Sequence, residues 1–245
     1  MAMAGRSGTI MATTIITITT MAMATSITPM TEARYRLMTW LSPAYPVGAF
    51  SYSHGLEYAV EAGLATDRAT LSDWIEDCLR HGAGRSDAII AAHAWRADEA
   101  ATRAELAELA RALQPAKERL LESEAQGAAF QLVTAAVWPA GVIDAAPLPY
   151  PVAIGVAARA HGVPLDEMLQ AYLWAFAANL VSAGVRLVPL GQTDGQRIQA
   201  ALMPITLDVA RDAESSTLDD IGGCAFRAEI AAMRHETQHV RLFRS

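Results

Sequence analysis

The chain has 245 residues, of which 52% are hydrophobic and 18% are charged, with a net charge of −7. High apolar content excludes intrinsic disorder for most of the chain, and two cysteines are too few for a disulfide scaffold. The negative charge argues against nucleic-acid binding, because neutralising phosphates requires a basic surface. Cys78 and Cys224 have no metal-ligand spacing, so we expect two separate thiols in a reducing cytoplasm.

The first thirty residues are of low complexity and rich in Met, Ala, Thr and Ile. Threonines interrupt the apolar run from Ile10 to Met23, which therefore lacks the clean core of a secretory signal. No other stretch reaches 18 apolar residues without a charge, so no transmembrane helix is predicted. We predict a disordered leader over residues 1–30, or a translation start at Met30, followed by one domain over residues 31–245.

From residue 32 onward the apolar residues follow a helical period, and alternating strand patterns are nearly absent. Thr70 and Asp73 have the spacing of a capping box, and the helix that they begin is predicted to end at His81. The strongest apolar stripe follows Pro164, which suits the first position of a helix, and we expect that helix to be central. Further helices are predicted over residues 87–97, 102–113, 115–137, 152–161, 191–212 and 226–239. The sequence thus predicts an all-α, single-domain bundle of about eight to ten helices.

The loop between the first two helices is rich in aromatic and turn-forming residues. Tyr45, Phe50 and Tyr52 lie within eight residues, and Pro46 and Gly48 fix a turn among them. Aromatic side chains on a preorganised loop are typical of protein interfaces, but a rigid connector has the same turn chemistry. Both interpretations stay open at this point.

The motif His235–His239, HETQH, has the H-E-x-x-H spacing of zinc proteases. On a helix it would place two imidazoles on one face, beside a carboxylate that acts as the base. Only six residues follow the motif, and a cationic setting opposes a dication; the arginines concerned are Arg234, Arg241 and Arg244. A helical metal-dependent hydrolase that uses His235, Glu236 and His239 is therefore the alternative hypothesis, and a non-enzyme is preferred.

No nucleophile is predicted either. Ser51, Ser53, His54 and Glu57 lie on adjacent turns, but no oxyanion loop of the G-x-S-x-G kind accompanies them. His54 and Glu57 are three residues apart, and two ligands make no useful metal site, so we expect them to form a surface polar pair.

The segment from Leu41 to Glu57, LSPAYPVGAFSYSHGLE, resembles the N-terminal signature of the UreF family of urease accessory proteins. The resemblance continues through later blocks in the family's order, and together they cover roughly residues 35 to 245. These blocks are Glu122-Ser123, Gln126-Gly127, Tyr172–Asn179, Val185–Gln192, Arg234–Glu236 and Arg241–Ser245.

The resemblance implies an all-α, non-catalytic chaperone that joins UreD (UreH) and the GTPase UreG on the urease apoprotein for delivery of nickel. It also implies a homodimer with no cofactor of its own, a role in gating GTP hydrolysis by UreG, and nickel in transit through an internal tunnel. With the charge and the isolated thiols noted above, we expect a cytoplasmic protein with no nucleic-acid or membrane partner. Leu242 and Phe243 stand between two arginines in the chain's last residues, and Arg241 is expected to be the polar anchor of an end that orders on a partner. The residues expected to bind partners are Pro46, Gly48, Phe50, Tyr52, Glu57, Arg234, His235, Glu236, Arg241, Leu242 and Phe243.

Overall fold

The computed structural model describes residue 1, residues 30–140 and residues 146–245. These residues form ten α-helices, two short 3-10 turns and no β-strand, which confirms the all-α prediction. The helices are α1 (Glu32–Trp40), α2 (Leu56–Glu61), α3 (Arg68–His81), α4 (Ala83–Arg96), α5 (Ala100–Ala112), α6 (Lys117–Val137), α7 (Tyr150–Ala160), α8 (Leu165–Leu187), α9 (Gln192–Ser215) and α10 (Phe226–His235). Residues Thr31–Ser245 form one compact unit. The predicted leader, apart from Met1 and Met30, lies outside the described residues.

Helix α8 is the central helix, as its apolar stripe predicts. It packs along α9 and also contacts α2, α3 and α4. Its fully buried residues include Met168, Leu169, Leu173 and Leu180. Among the described helices, α8 is the one long and apolar enough to cross a membrane by length and composition, and more than half of that stretch is buried inside the protein. This burial is the pattern of a core helix.

Small residues bring α4 and α7 into close contact. Most of the buried residues of α4 are alanines and isoleucines, and α7 places Gly155 against them. A Cβ atom at Gly155 would overlap the carbonyl oxygen of Ala91 and lie 2.9 Å from the Cβ atom of Ala94. The backbones of the two helices therefore touch, and position 155 has no space for a side chain.

Several helix ends differ from the prediction: α4 begins at Ala83 and not at residue 87, and α9 ends at Ser215 and not at residue 212. Helix α3 begins earlier, because the Asp67 carboxylate accepts the Thr70 N–H at 2.9 Å and the Thr70 hydroxyl accepts the Asp67 N–H at 3.1 Å. Thr70 is thus the third helical residue of a capping box and not its first. Helix α10 ends at His235 and not at residue 239, because the chain turns there and the Glu236 carboxylate accepts the Lys117 N–H at 2.7 Å.

Candidate functional site

The α1–α2 loop (residues 41–55) packs most of its aromatic residues inside the protein. Tyr45 and Tyr52 are buried, and the Tyr45 hydroxyl shares a hydrogen bond of 2.8 Å with the Thr134 hydroxyl. Phe50 is 64% exposed. The Tyr52 ring thus lies in the interior of this chain, and its contact with a partner stays a prediction. The loop is a rigid connector that displays one aromatic ring to solvent.

Two glycines give the loop its shape. Gly48 has a φ of 79° and precedes the 3-10 turn that carries Phe50. Gly55 has a φ of 76°, and a Cβ atom there would lie 2.5 Å from the backbone nitrogen of Ala232 in α10. Both positions use the left-handed region that glycine enters without strain. Gly55 also places the loop directly against α10.

The C-terminal tail (residues 236–245) packs against the rest of the chain. The Glu57 carboxylate accepts the backbone N–H of Leu242 at 2.7 Å and that of Phe243 at 2.9 Å. Phe243 is buried, and Leu242 is exposed. The expectation of an end that stays free until a partner orders it is therefore corrected, because Glu57 already satisfies the tail's backbone donors.

The end of the tail pairs with the α1–α2 loop through backbone hydrogen bonds. The Arg244 N–H donates to the Ser51 carbonyl at 2.8 Å, and the Ser53 N–H donates to the Ser245 carbonyl at 2.7 Å. Ser245 is buried, and its hydroxyl donates to Glu122 at 2.7 Å. The α1–α2 loop and the C-terminal tail are thus joined directly by backbone hydrogen bonds.

His235 is fully buried between two carboxylates. Its Nδ1 lies 2.6 Å from Glu118 and its Nε2 lies 3.2 Å from Glu57. Since both ring nitrogens face acceptors, each contact needs a proton, either on the ring or on a carboxyl group. Arg241 reaches the other Glu118 oxygen at 2.5 Å. The arginine predicted as an anchor for a partner therefore anchors the tail to α6.

The geometry of a zinc protease does not occur at the HETQH motif. His239 lies beyond the end of α10, so the two histidines do not share a helix face. Both ring nitrogens of His235 face glutamates, and Glu236 accepts the Lys117 N–H. In the part of the chain that the structure describes, no group of three His, Cys, Asp or Glu is placed to hold a metal ion. The motif therefore has a structural role.

A second charged group lies beneath the tail, on the inward face of α6. Arg119 and Glu122 are buried and form an ion pair. Gln126 donates to Glu122 at 2.8 Å, and the His54 Nε2 lies 2.8 Å from the same carboxylate. His54 was expected to pair with Glu57 at the surface, and this expectation is wrong, because the loop turns its ring inward to α6.

Burial and the charge of Arg119 act in opposite directions on the pKa of Glu122 but in the same direction on the pKa of His54. Burial tends to raise the pKa of Glu122, but the positive charge of Arg119, with His54 and the hydrogen bonds, holds that pKa well below its usual range. Burial, together with the charge of Arg119, lowers the pKa of His54. Glu122 is therefore a carboxylate at neutral pH, and it compensates the buried guanidinium.

Asp87 on α4 is a buried carboxyl group close to the same arginine. The Tyr172 hydroxyl donates to it at 3.4 Å, a long hydrogen bond. Burial raises the pKa of Asp87 to about 6, and the charge of Arg119 acts against that rise. The charge of Asp87 therefore changes in the mildly acidic range.

A cavity of about 330 Å³ lies between the α1–α2 loop, α6 and α8. Its polar lining includes Asp87, Arg119 and Asn179, and its exposed lining includes Phe50 and Trp174. Asn179 lies within the apolar stripe of α8, and its amide donates to the Tyr52 carbonyl at 3.4 Å. Asn179 is partly buried, and it both donates to a backbone group and borders the cavity.

A second cavity of about 90 Å³ lies behind the first. The side chains that line both cavities are His54, Asp87, Arg119 and Phe176. These four residues form the partition between the two spaces. Three of these four side chains are polar or charged, and Phe176 is the apolar one.

Burial divides the residues that were expected to bind partners into two groups. The exposed members are Pro46, Gly48, Phe50, Arg234, Glu236, Arg241 and Leu242. The buried members are Tyr52, Glu57, His235 and Phe243. The buried members contact this chain and support the exposed members, and direct contact of any of these residues with a partner stays a prediction.

The buried charged residues on α6 and α4 were not predicted from the residues of the sequence. Arg119 and Asp87 were not among the candidates, and Glu122 appeared only through the family resemblance. A signal was present in the spacing, since Arg119, Glu122 and Gln126 fall on the same helical face as the fully buried Phe130.

Comparison with known proteins gives a consistent result. The UreF family model matches residues 65–203, more than half of the chain. A urease accessory protein UreF from Rhodopseudomonas palustris (strain BisB5) is 53% identical over 221 residues, which cover 86% of this chain and 90% of the relative. The protein of the same name from Bradyrhizobium diazoefficiens is 52% identical over 222 residues, covering 87% and 92%. That from Cereibacter sphaeroides is 50% identical over 216 residues, covering 88% and 100%.

Proposed function

Because the chain belongs to the UreF family of urease accessory proteins, we propose that it is a scaffold that joins UreD (UreH) and the GTPase UreG on the urease apoprotein. In this role it performs no chemical step and holds no resident cofactor, and nickel is cargo that passes through the complex. It acts in the cytoplasm as a homodimer, without nucleic-acid or membrane partners. The choice of UreD and UreG follows from the family resemblance.

An exposed apolar stripe on α10 is the observation that carries a protein-binding role. Phe226, Ile230 and Met233 recur at helical spacing and are 65%, 54% and 49% exposed. Val240 and Leu242 in the tail add two more exposed apolar side chains. Apolar surface gains roughly 25 cal/mol per Å² when a partner removes it from water, so such a stripe favours a docking role.

The opposite side of α10 supports this stripe rigidly. Ala232 lies against Gly55, and His235 is held between Glu57 and Glu118. A surface that is already ordered loses less conformational entropy when it binds. The buried charges under α10 therefore favour a preorganised docking face.

The charged interior is paired within the chain. Glu122 contacts Arg119 and His54, and Glu57 accepts hydrogen bonds from the tail. These contacts hold the loop and the tail in place. The absence of a chemical step is proposed from the family resemblance.

Complementation of a urease operon tests the proposal. In a host that carries the operon without this gene, we expect urease to assemble without nickel and to be inactive, and the wild-type chain to restore both. Ile230→Asp should restore little activity and should capture less UreD and UreG from the lysate, since a carboxylate on the stripe opposes apolar docking. Urease activity, nickel content of the purified urease and the captured proteins are measured.

Met203→Asp is the matched control for Ile230→Asp. Met203 and Leu207 form an exposed apolar pair on α9, with the same spacing as on α10. This variant should restore activity as the wild type does. Nickel-loaded, active urease in the absence of the gene would contradict the proposed function. Full restoration and normal capture by Ile230→Asp would contradict the docking role of α10.

A further inference from the structure

Arg186, in the last turn of α8, lies between two aromatic rings from opposite ends of the described chain. Its guanidinium carbon is 3.7 Å from the centroid of the Phe50 ring and 4.3 Å from that of Phe243. Its Nη2 donates to the Phe50 carbonyl at 3.0 Å, and its Nε donates to the Ser182 carbonyl at 3.1 Å. A planar guanidinium stacks on aromatic faces better than an ammonium does.

The two rings lie in opposite environments. Phe50 is exposed on the α1–α2 loop, whereas Phe243 is buried in the tail. The backbone hydrogen bonds between loop and tail, from Arg244 to Ser51 and from Ser53 to Ser245, lie next to this stack in sequence. Arg186 therefore connects an exposed ring to the buried part of the tail.

We propose that Arg186 is a positioning residue for partner binding, which fixes the Phe50 ring and the C-terminal tail as one surface. The inference rests on the proposed function, because the partner is the UreD and UreG assembly. An exposed phenylalanine without this support would sample several rotamers and lose that freedom on binding. With the stack in place, a partner meets the ring and the tail in a fixed arrangement.

Hydrogen exchange on the purified full-length chain tests whether Arg186 links the loop to the tail. In Arg186→Met, which keeps a long side chain but loses the planar cation, the amides of Ser53 and Arg244 should exchange about tenfold faster. Arg186→Lys should give an intermediate rate. Helix content by circular dichroism should not change in either variant. Exchange at wild-type rates in Arg186→Met would overturn the proposal.

Arg159→Met is the matched control for this measurement. Arg159, on α7, also stacks on an aromatic ring, with its guanidinium carbon 4.7 Å from the centroid of Trp95. Exchange at Ser53 and Arg244 should stay at the wild-type rate in this variant. Equal acceleration in Arg159→Met and Arg186→Met would show a general loosening of the fold and would overturn the specific link.

Capture of UreD and UreG by the co-expressed chain tests the effect on binding. Phe50→Ala and Arg186→Met should each lower the captured amount about tenfold, and Arg186→Lys should recover part of the loss. The double variant should bind no more weakly than the weaker single variant, because Arg186 acts through Phe50. A hundredfold loss in the double variant would mean two independent contacts and would overturn the proposal. Normal capture by Arg186→Met would leave Arg186 only a structural role and would also overturn it.

The failure of the proposed function has a different result. If the wild-type chain captured neither protein, the proposed function would fail, and with it the positioning role. The exchange measurement would still report whether Arg186 links the loop to the tail.

Discussion

The α4–α7 contact and the region beneath the C-terminal tail are both buried, yet they are stabilised by different interactions. Between α4 and α7, Gly155 and alanines allow direct backbone contact. Beneath the tail, His235 lies between two glutamates and Arg119 pairs with Glu122. Apolar contact gains free energy from burial alone, whereas buried charges must be paired to offset their lost hydration. The comparison indicates that the charged region specifies how the tail and loop are placed, and adds little net stability.

Removal of one charge beneath the tail should have the largest effect on stability. In Glu122→Gln, Arg119 loses the carboxylate with which it forms its ion pair, and of the two buried carboxylates near it only Asp87 remains. We expect the free energy of unfolding at pH 7 to fall by about 3–5 kcal/mol. Urea denaturation followed by circular dichroism measures the change.

Asp208→Asn is the control for this charge removal. Asp208 pairs with Arg211 on the exposed surface of α9. Its loss should cost less than about 0.5 kcal/mol, because water already screens the pair. Equal losses in the two variants would contradict the difference between buried and exposed pairs.

Addition of a single methyl group tests the apolar region. In Gly155→Ala, the Cβ atom would overlap the carbonyl oxygen of Ala91, and α7 must move away from α4. We expect a loss of about 2–3 kcal/mol in the free energy of unfolding. Gly191→Ala, at a position with open space around it, should cost less than about 1 kcal/mol. A Gly155→Ala protein of wild-type stability would show that the two helices are not in backbone contact.

A change of pH should affect the charged region by a smaller amount. Burial raises the pKa of Asp87 to about 6 from the ordinary 3.8, so the folded chain binds this proton more tightly than the unfolded chain. The stability that this proton contributes is complete below pH ~4 and is lost as the pH rises through about 6. Asp87→Asn removes this loss, so its stability relative to the wild type should rise by about 2 kcal/mol between pH 4 and pH 7.

Urea denaturation at both pH values, applied to Asp87→Asn and to the wild type, measures this difference. Parallel pH profiles would show that Asp87 titrates in the folded protein as it does in the unfolded chain. The charged partition between the two cavities would then not be sensitive to mild acid.

The helices could be predicted from the sequence because their signals are local. The stripe of α8 repeats every three to four residues and required no knowledge of its neighbours. The end of α10 could not be predicted in this way, because Glu236 leaves the helix to bind Lys117, which is distant in sequence. The start of α3 was missed because Asp67 and Thr70 compete for the same cap, and a pattern search does not compare the two.

The candidate site could be predicted only in part, because its contacts join distant segments. The sequence placed Tyr45, Phe50 and Tyr52 together on a preorganised loop, but it did not show that Phe50 is exposed while the two tyrosines are buried. The burial of Glu57 and His235 depends on each other and on the tail, and no periodic pattern in either segment records that pairing. A single sequence identifies the participants of such a network but not their partners.

Gly55 has a consequence for how this protein can change over time. Its position against the Ala232 backbone leaves no space even for a methyl group, and its φ of 76° disfavours other residues. Substitutions of Gly55 should therefore be removed by selection. Gly63 has a similar φ but open surroundings, so asparagine can replace it. A glycine at position 55 is thus required for α10 to keep its orientation relative to the loop.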